Sequence, residues 1–225
     1  MYLQRQVIFL LAAMCIVCAQ AGAQTPIALP DQQLIQAASR GDSALVKRLI
    51  ADSASVKARD SGGRTALLLA THANHVEAAR LLIAAGADVN AKDGIEDSPF
   101  LYAGAEGRLE ILRLTLAAGA DLKSINRYGG TALIPAAHHG HVETVRELLK
   151  TKIDIDHVNK LGWTALLEAV ILGDGGRAHT EIVRLLLASG AKPGLADRDG
   201  VTPLRHAEQR GQGEIAALLR AAGAR

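Results

Sequence analysis

Aromatic residues and cysteine are what this chain has least of. Phe, Trp and Tyr make up 3% of its 225 residues, and cysteine occurs twice, at Cys15 and Cys18. Both cysteines fall in an N-terminal segment with Arg5 near its start, an apolar run from Val7 to Val17, and Ala21-Gly22-Ala23 at its end. That is the layout of a secretory signal peptide, residues 1–23, with cleavage after Ala23 or after Ala21. The apolar run falls short of the roughly 20 residues of a membrane span. Met14 and Val17 precede the cysteines where a lipoprotein signal needs a small residue. The expectation is a periplasmic or secreted protein with no stable membrane anchor after cleavage. The mature chain would have no thiol, so neither a disulfide nor cysteine catalysis is available to it.

An excess of charge is absent too. Without Arg5 the chain carries 24 Lys and Arg against 23 Asp and Glu. Interspersed, near-neutral charge excludes the electrostatic case for a nucleic acid partner. No GxSxG elbow and no HExxH pair occurs. The glycine-rich stretch Ile171–His179, ILGDGGRAH, lacks the lysine followed by Ser or Thr of a phosphate loop and the third glycine of a dinucleotide fingerprint. Among the eight histidines, His138, His139 and His141 lie close together, but zinc needs three or four converging ligands. No catalytic residue, metal site or cofactor is therefore assigned, and the protein is not read as an enzyme.

What the chain does contain is a repeat. Thr65, Ser98, Thr131 and Thr164 stand 33 residues apart, each followed by Ala or Pro and then an apolar residue, and Thr202 continues the series after 38. Ala70, Ala103, Ala136, Ala169 and Ala207 recur with them, and Gly-Ala-Asp recurs at 86–88 and 119–121. Within one unit, Thr65 stands as the cap of a first helix, Asn74-His75 as a turn, Val76–Ala85 as a second helix and Gly86 as its left-handed stop. The five extra residues of the fifth unit, Asp174–Ala178, are an insertion in its helix–helix turn. Outer-helix positions Ile50, Ile83, Leu116, Leu149 and Leu187 are apolar, whereas the last unit has Arg220, as befits an end on which nothing stacks.

A 33-residue period with this internal order resembles the ankyrin repeat, and a DGG-type insertion resembles small secreted bacterial members of that family. The resemblance implies an all-α solenoid of about six stacked helix-turn-helix units with short connecting β-hairpin loops. It places a domain at 24–225, with units at 29–59 (N-terminal cap), 60–92, 93–125, 126–158, 159–196 with insertion 174–178, and 197–225 (C-terminal cap). Two departures bear on local structure. Pro135 falls near the start of a first helix, and Glu96 replaces the glycine found at 63, 129, 162 and 200, so the third finger is expected to be distorted.

By resemblance, too, hairpin tips and first-helix ends line a concave binding surface. Carried over unit by unit, this gives Arg64, His72, Lys92, Arg127, Tyr128, His138, His139, Lys160, Trp163, Arg198 and Arg210 as partner-binding candidates. Trp163 and Tyr128 are hot-spot types, although Trp163 packed on the next hairpin is an equal reading. The basic residues suggest a protein partner with an acidic surface. Glu168, the one acid at its inner-helix position, is either a buried carboxylate or one half exposed in the groove or paired with a neighbour. The function implied is non-enzymatic scaffolding in the bacterial cell envelope. The alternative is a small-molecule, anion or metal binder, or a weak hydrolase, built on the histidines, Glu168 and the inserted loop.

Overall fold

The structure is a computed structural model that describes residues 27–225. The expected signal peptide lies outside the described residues. Twelve α-helices run through the described residues: α1 Leu29–Arg40, α2 Ser43–Ala51, α3 Ala66–His72, α4 Val76–Ala84, α5 Pro99–Ala105, α6 Leu109–Ala117, α7 Leu133–His138, α8 Val142–Leu148, α9 Ala165–Ile171, α10 Arg177–Ala188, α11 Pro203–Gln209 and α12 Gly213–Ala221. They pair into six antiparallel hairpins. Each odd-numbered helix packs on the next odd one and each even on the next even, giving an inner and an outer row. None of the described helices is long and apolar enough to cross a membrane.

Local chemistry sets the helix starts. Thr65, Ser98, Thr164 and Thr202 each accept, on the side-chain oxygen, the N–H three residues on, at 3.2–3.3 Å. In those units the N–H four residues on donates to the same residue's carbonyl. The fourth unit differs. Pro135 has no N–H to give, so Ile134 N–H moves to the Thr131 carbonyl at 3.2 Å and the Thr131 hydroxyl is left buried without a partner.

Close packing comes from small residues. The recurrent alanines at 70, 103, 136, 169 and 207 are fully buried between inner helices. At Gly104 a methyl group would come within 2.8 Å of Ala132 Cβ, so only glycine lets α5 lie this close to the next unit. Leu68, Leu101, Ile134 and Leu167 are buried, while Arg205 in the last unit is exposed.

The connecting fingers are single turns; among the described residues the only β pairing is the bridge Arg59–Thr65. Five residues closed by one backbone bond are too few for a ladder. The third finger is not distorted. Asp93 N–H still bonds the Asp97 carbonyl at 2.9 Å, and Glu96 adopts φ +67° to keep the turn. The strain falls on that residue's backbone instead.

Candidate functional site

Every finger is built on one Asp or Asn: Asp60, Asp93, Asn126, Asn159 and Asp197. In each, Oδ1 accepts the N–H groups two and four residues on at 2.9–3.0 Å. The 33-residue spacing of the first four was visible in the sequence and was not used. With Oδ1 committed, an aspartate or asparagine can still reach the inner helix nine residues on through its second side-chain atom. Asn159 Nδ2 donates to Glu168 Oε1 at 2.8 Å, and Asp197 Oδ2 meets His206 Nε2 at 2.7 Å. The latter bond heads the causes that hold Asp197 below the usual carboxylate range.

Fingers are tied to one another through carbonyls. Arg59 donates to the carbonyls of Gly63 and Lys92 at 2.6 Å, and Lys92 Nζ donates to that of Ile125 at 2.7 Å. From the other end, Arg198 donates to the Lys160 carbonyl, and Lys160 Nζ to that of Arg127 at 2.8 Å. The two series run towards each other and meet at the finger Ile125–Gly130.

That finger borders a concave cavity of about 390 Å3 spanning units three to five. Tyr102, Tyr128, His138 and His139 supply its rings; Ile134, Pro135, Leu161 and Leu172 its apolar surface; Asp97, Glu106, Glu168 and Arg127 its charges. The Arg127 guanidinium meets Asp97 Oδ2 at 3.2 Å and lies 4.9 Å from the centre of the Tyr128 ring. Burial pushes the Asp97 carboxyl up despite that partner.

At the floor, Glu168 is 6% exposed. Its Oε2 lies 3.6 Å from His138 Nδ1, longer than a hydrogen bond. Burial pushes Glu168 up and His138 down, the direction opposite to a formed ion pair. Desolvation is the leading cause for each. The sequence had offered a buried carboxylate, or one half exposed in the groove or paired with a neighbour; Glu168 is buried rather than half exposed, and Asn159 is its hydrogen-bond partner.

Of the eleven candidates from the sequence, Arg127, Tyr128, His138 and His139 meet around this cavity. The other seven stand elsewhere. Arg64 is paired with Asp60 at 2.7 Å. His72 stacks on Tyr102 with ring centres 4.0 Å apart, and burial lowers its pKa. Lys92, Lys160 and Arg198 are the donors between fingers described above, and Arg210 bonds the Gly173 carbonyl at 3.2 Å. The half-buried Trp163 does not line the cavity, and its backbone closes the finger on Asn159. With these donors used along the stack, the basic residues no longer give a specific reason to expect an acidic partner.

Sequence reasoning missed Leu161. It shares its finger position with Ile95 and Tyr128, at the same 33-residue spacing, and the three are 49%, 54% and 56% exposed. The stronger residue type at 163 had drawn attention two positions away.

The insertion is partly helix, since Arg177 and Ala178 lie in α10 and lengthen its first turn relative to the other outer helices. It is anchored: Asp174 Oδ1 accepts Gly176 N–H and faces His179 Nδ1 at 2.8 Å, while His179 Nε2 faces the His138 carbonyl at 2.8 Å. His139 Nδ1 likewise donates to the Ala105 carbonyl at 2.7 Å. These rings link units to one another, and among the described residues no three of His, Cys, Asp and Glu are placed to hold a metal.

With this geometry in hand, the relatives can be compared. A family model of ankyrin repeats (3 copies) matches residues 7–93 and 100–197. The chain is similar to the crystal structure of an ankyrin repeat domain from Acinetobacter baumannii AYE, at 60% identity and TM-score 0.83, covering 85% of this chain and 98% of that one. It is similar also to the ankyrin repeat domain of Bcl-3, described as a unique member of the IkappaB protein family, at 29% identity and TM-score 0.77, with 86% of each chain covered. The putative ankyrin repeat protein YahD of Escherichia coli (strain K12) is 56% identical over 57 residues, 25% of this chain and 28% of that protein. That match therefore spans little more than a quarter of its length.

Proposed function

From the premise that this chain belongs to the ankyrin-repeat family, whose domains are protein–protein interaction modules, we propose that it binds a partner protein of the bacterial cell envelope through the concave face of units three to five. The observation that carries this reading is the exposed apolar column Ile95, Tyr128 and Leu161 on three consecutive fingers, two of which border the cavity. Isolated exposed apolar residues are ordinary; three in register beside a concavity are what an interface needs. The activity is recognition without a reaction. The envelope address rests on the signal-like segment 1–23.

The test is affinity capture from an envelope extract, with wild type against Tyr128→Ala/Leu161→Ala, both confirmed folded by circular dichroism. A protein retained by the wild type and lost by the variant supports the reading; equal retention by both refutes it. Fractionation with N-terminal sequencing tests the address, which an unprocessed cytoplasmic chain would refute. A second reading, a small-ligand site, draws on the cavity volume, which falls within the range of about 300–1,000 Å3 usual for ligand pockets. It requires small anions or metals to raise the melting temperature of the dialysed protein.

A further inference from the structure

The cavity floor carries a carboxylate that the stack does not require. At the position of Glu168 the second, third and fourth units have Leu69, Tyr102 and Pro135, and each still forms its inner helix without a carboxylate there. Glu168 uses Oε1 on Asn159, and its Oε2 has the imidazole of His138 at 3.6 Å, beyond hydrogen-bond length. A largely buried carboxylate whose Oε2 is open to the cavity gains a charge-assisted hydrogen bond from any donor that enters it.

We propose that this cavity receives a cationic side chain, arginine or lysine, presented by an extended segment of the protein partner. The inference rests on the protein-binding reading above and specifies what that groove recognises.

Three further features select a cation. Arg127 is the only Lys or Arg lining the cavity, and it is already committed to Asp97 and to the face of Tyr128. Glu106 and Glu168 therefore set the sign of the space, and an anionic group entering it would meet like charge. The walls suit a long cationic side chain: Ile134, Pro135 and Leu172 line the space and take the methylene stem, while the charged head reaches Glu168. A neutral apolar side chain would fit the volume but would bury Glu168 further without a partner. The exposed column Ile95–Tyr128–Leu161 lies along the same fingers and accommodates the residues flanking the inserted one.

The test uses the full chain, isotopically labelled, titrated with N-acetyl-arginine methylamide and with its uncharged isostere, N-acetyl-citrulline methylamide. The expected result is saturable shifts of the Leu161 and Trp163 amides, which sit on Asn159, with the arginine probe and none with citrulline. Glu168→Gln keeps the bond to Asn159 and should weaken the arginine probe about ten-fold or more. Tyr128→Ala, at an exposed finger tip where folding is not at stake, should weaken it as well. Equal response to both probes, or an unchanged affinity in Glu168→Gln, overturns the proposal. Tighter binding of free L-arginine than of the capped probe overturns the partner segment as its source. The capture experiment separates the two readings. A protein lost by Tyr128→Ala/Leu161→Ala but kept by Glu168→Gln leaves the groove standing and removes the cation pocket.

Discussion

Pro135 should cost this protein stability, and the reason can be tested by coupling. Its missing N–H draws Ile134 N–H to the Thr131 carbonyl and leaves the Thr131 hydroxyl buried and unpaired. In Pro135→Ala the residue-135 N–H would donate to the Thr131 carbonyl, as its counterparts do at 2.8–3.1 Å in four other units. Ile134 N–H would then return to the hydroxyl. A restored cap contributes about 1 kcal/mol and a restored backbone hydrogen bond about 1 kcal/mol. The freedom that proline denies the unfolded chain offsets about 0.4–1 kcal/mol of this. The net is roughly 1 kcal/mol, or about 2–4 °C in melting temperature for a chain of this size. Denaturant unfolding followed by far-ultraviolet circular dichroism measures it. The decisive comparison is a double-mutant cycle. Thr131→Val should be neutral or stabilising in the wild type, where the hydroxyl has no partner, yet cost about 1 kcal/mol in the Pro135→Ala background. Thr164→Val, at an intact cap, should cost a similar amount without any second change. Additive effects at 131 and 135, or a loss of stability in Pro135→Ala, would refute the reasoning.

Glu96→Gly removes a left-handed backbone from a side-chain-bearing residue and should gain about 1 kcal/mol, read as a higher denaturant midpoint; no gain would mean the turn is not strained. Gly104→Ala places a methyl 2.8 Å from Ala132 Cβ and should cost about 1–3 kcal/mol, with the same assay as judge. Burial raises Glu168 above the ordinary glutamate value of 4.5, so the folded state holds the proton more tightly than the unfolded state. Stability linked to that proton is complete below pH 4.5 and is lost as pH rises through the folded value. Glu168→Gln should therefore gain on the wild type across that window and stay ahead at neutral pH; parallel pH–stability curves would refute it.

The fold was legible because its signals are local and periodic. Thr65, Ser98 and Thr164 cap helices that begin one residue later, and Val76–Ala84 ends one residue short of its expected limit. The site was legible only in part. Position along the chain identified Arg127, Tyr128, His138 and His139, because finger and helix-end registers are set by the repeat. It could not say that Lys92 and Lys160 would spend their ammonium groups on neighbouring carbonyls, since a carbonyl has no letter in the sequence. Nor could it choose between Leu161 and Trp163. Both stand on one finger, and the turn made by Asn159 decides which of them borders the cavity. Residue type pointed to tryptophan; the column shared with Ile95 and Tyr128 pointed to leucine.

The two opposed series of side-chain-to-carbonyl bonds have a consequence for how the molecule comes apart. A linear stack can open from either end, since each unit touches only its neighbours. Here Lys92 from one side and Lys160 from the other both donate to carbonyls of the finger Ile125–Gly130, while Arg59 and Arg198 tie the fingers beyond them. When the stack opens from one end, that finger is still tied from the other side. A partner arriving there meets a surface already held in position, and little of the binding free energy is spent on ordering it.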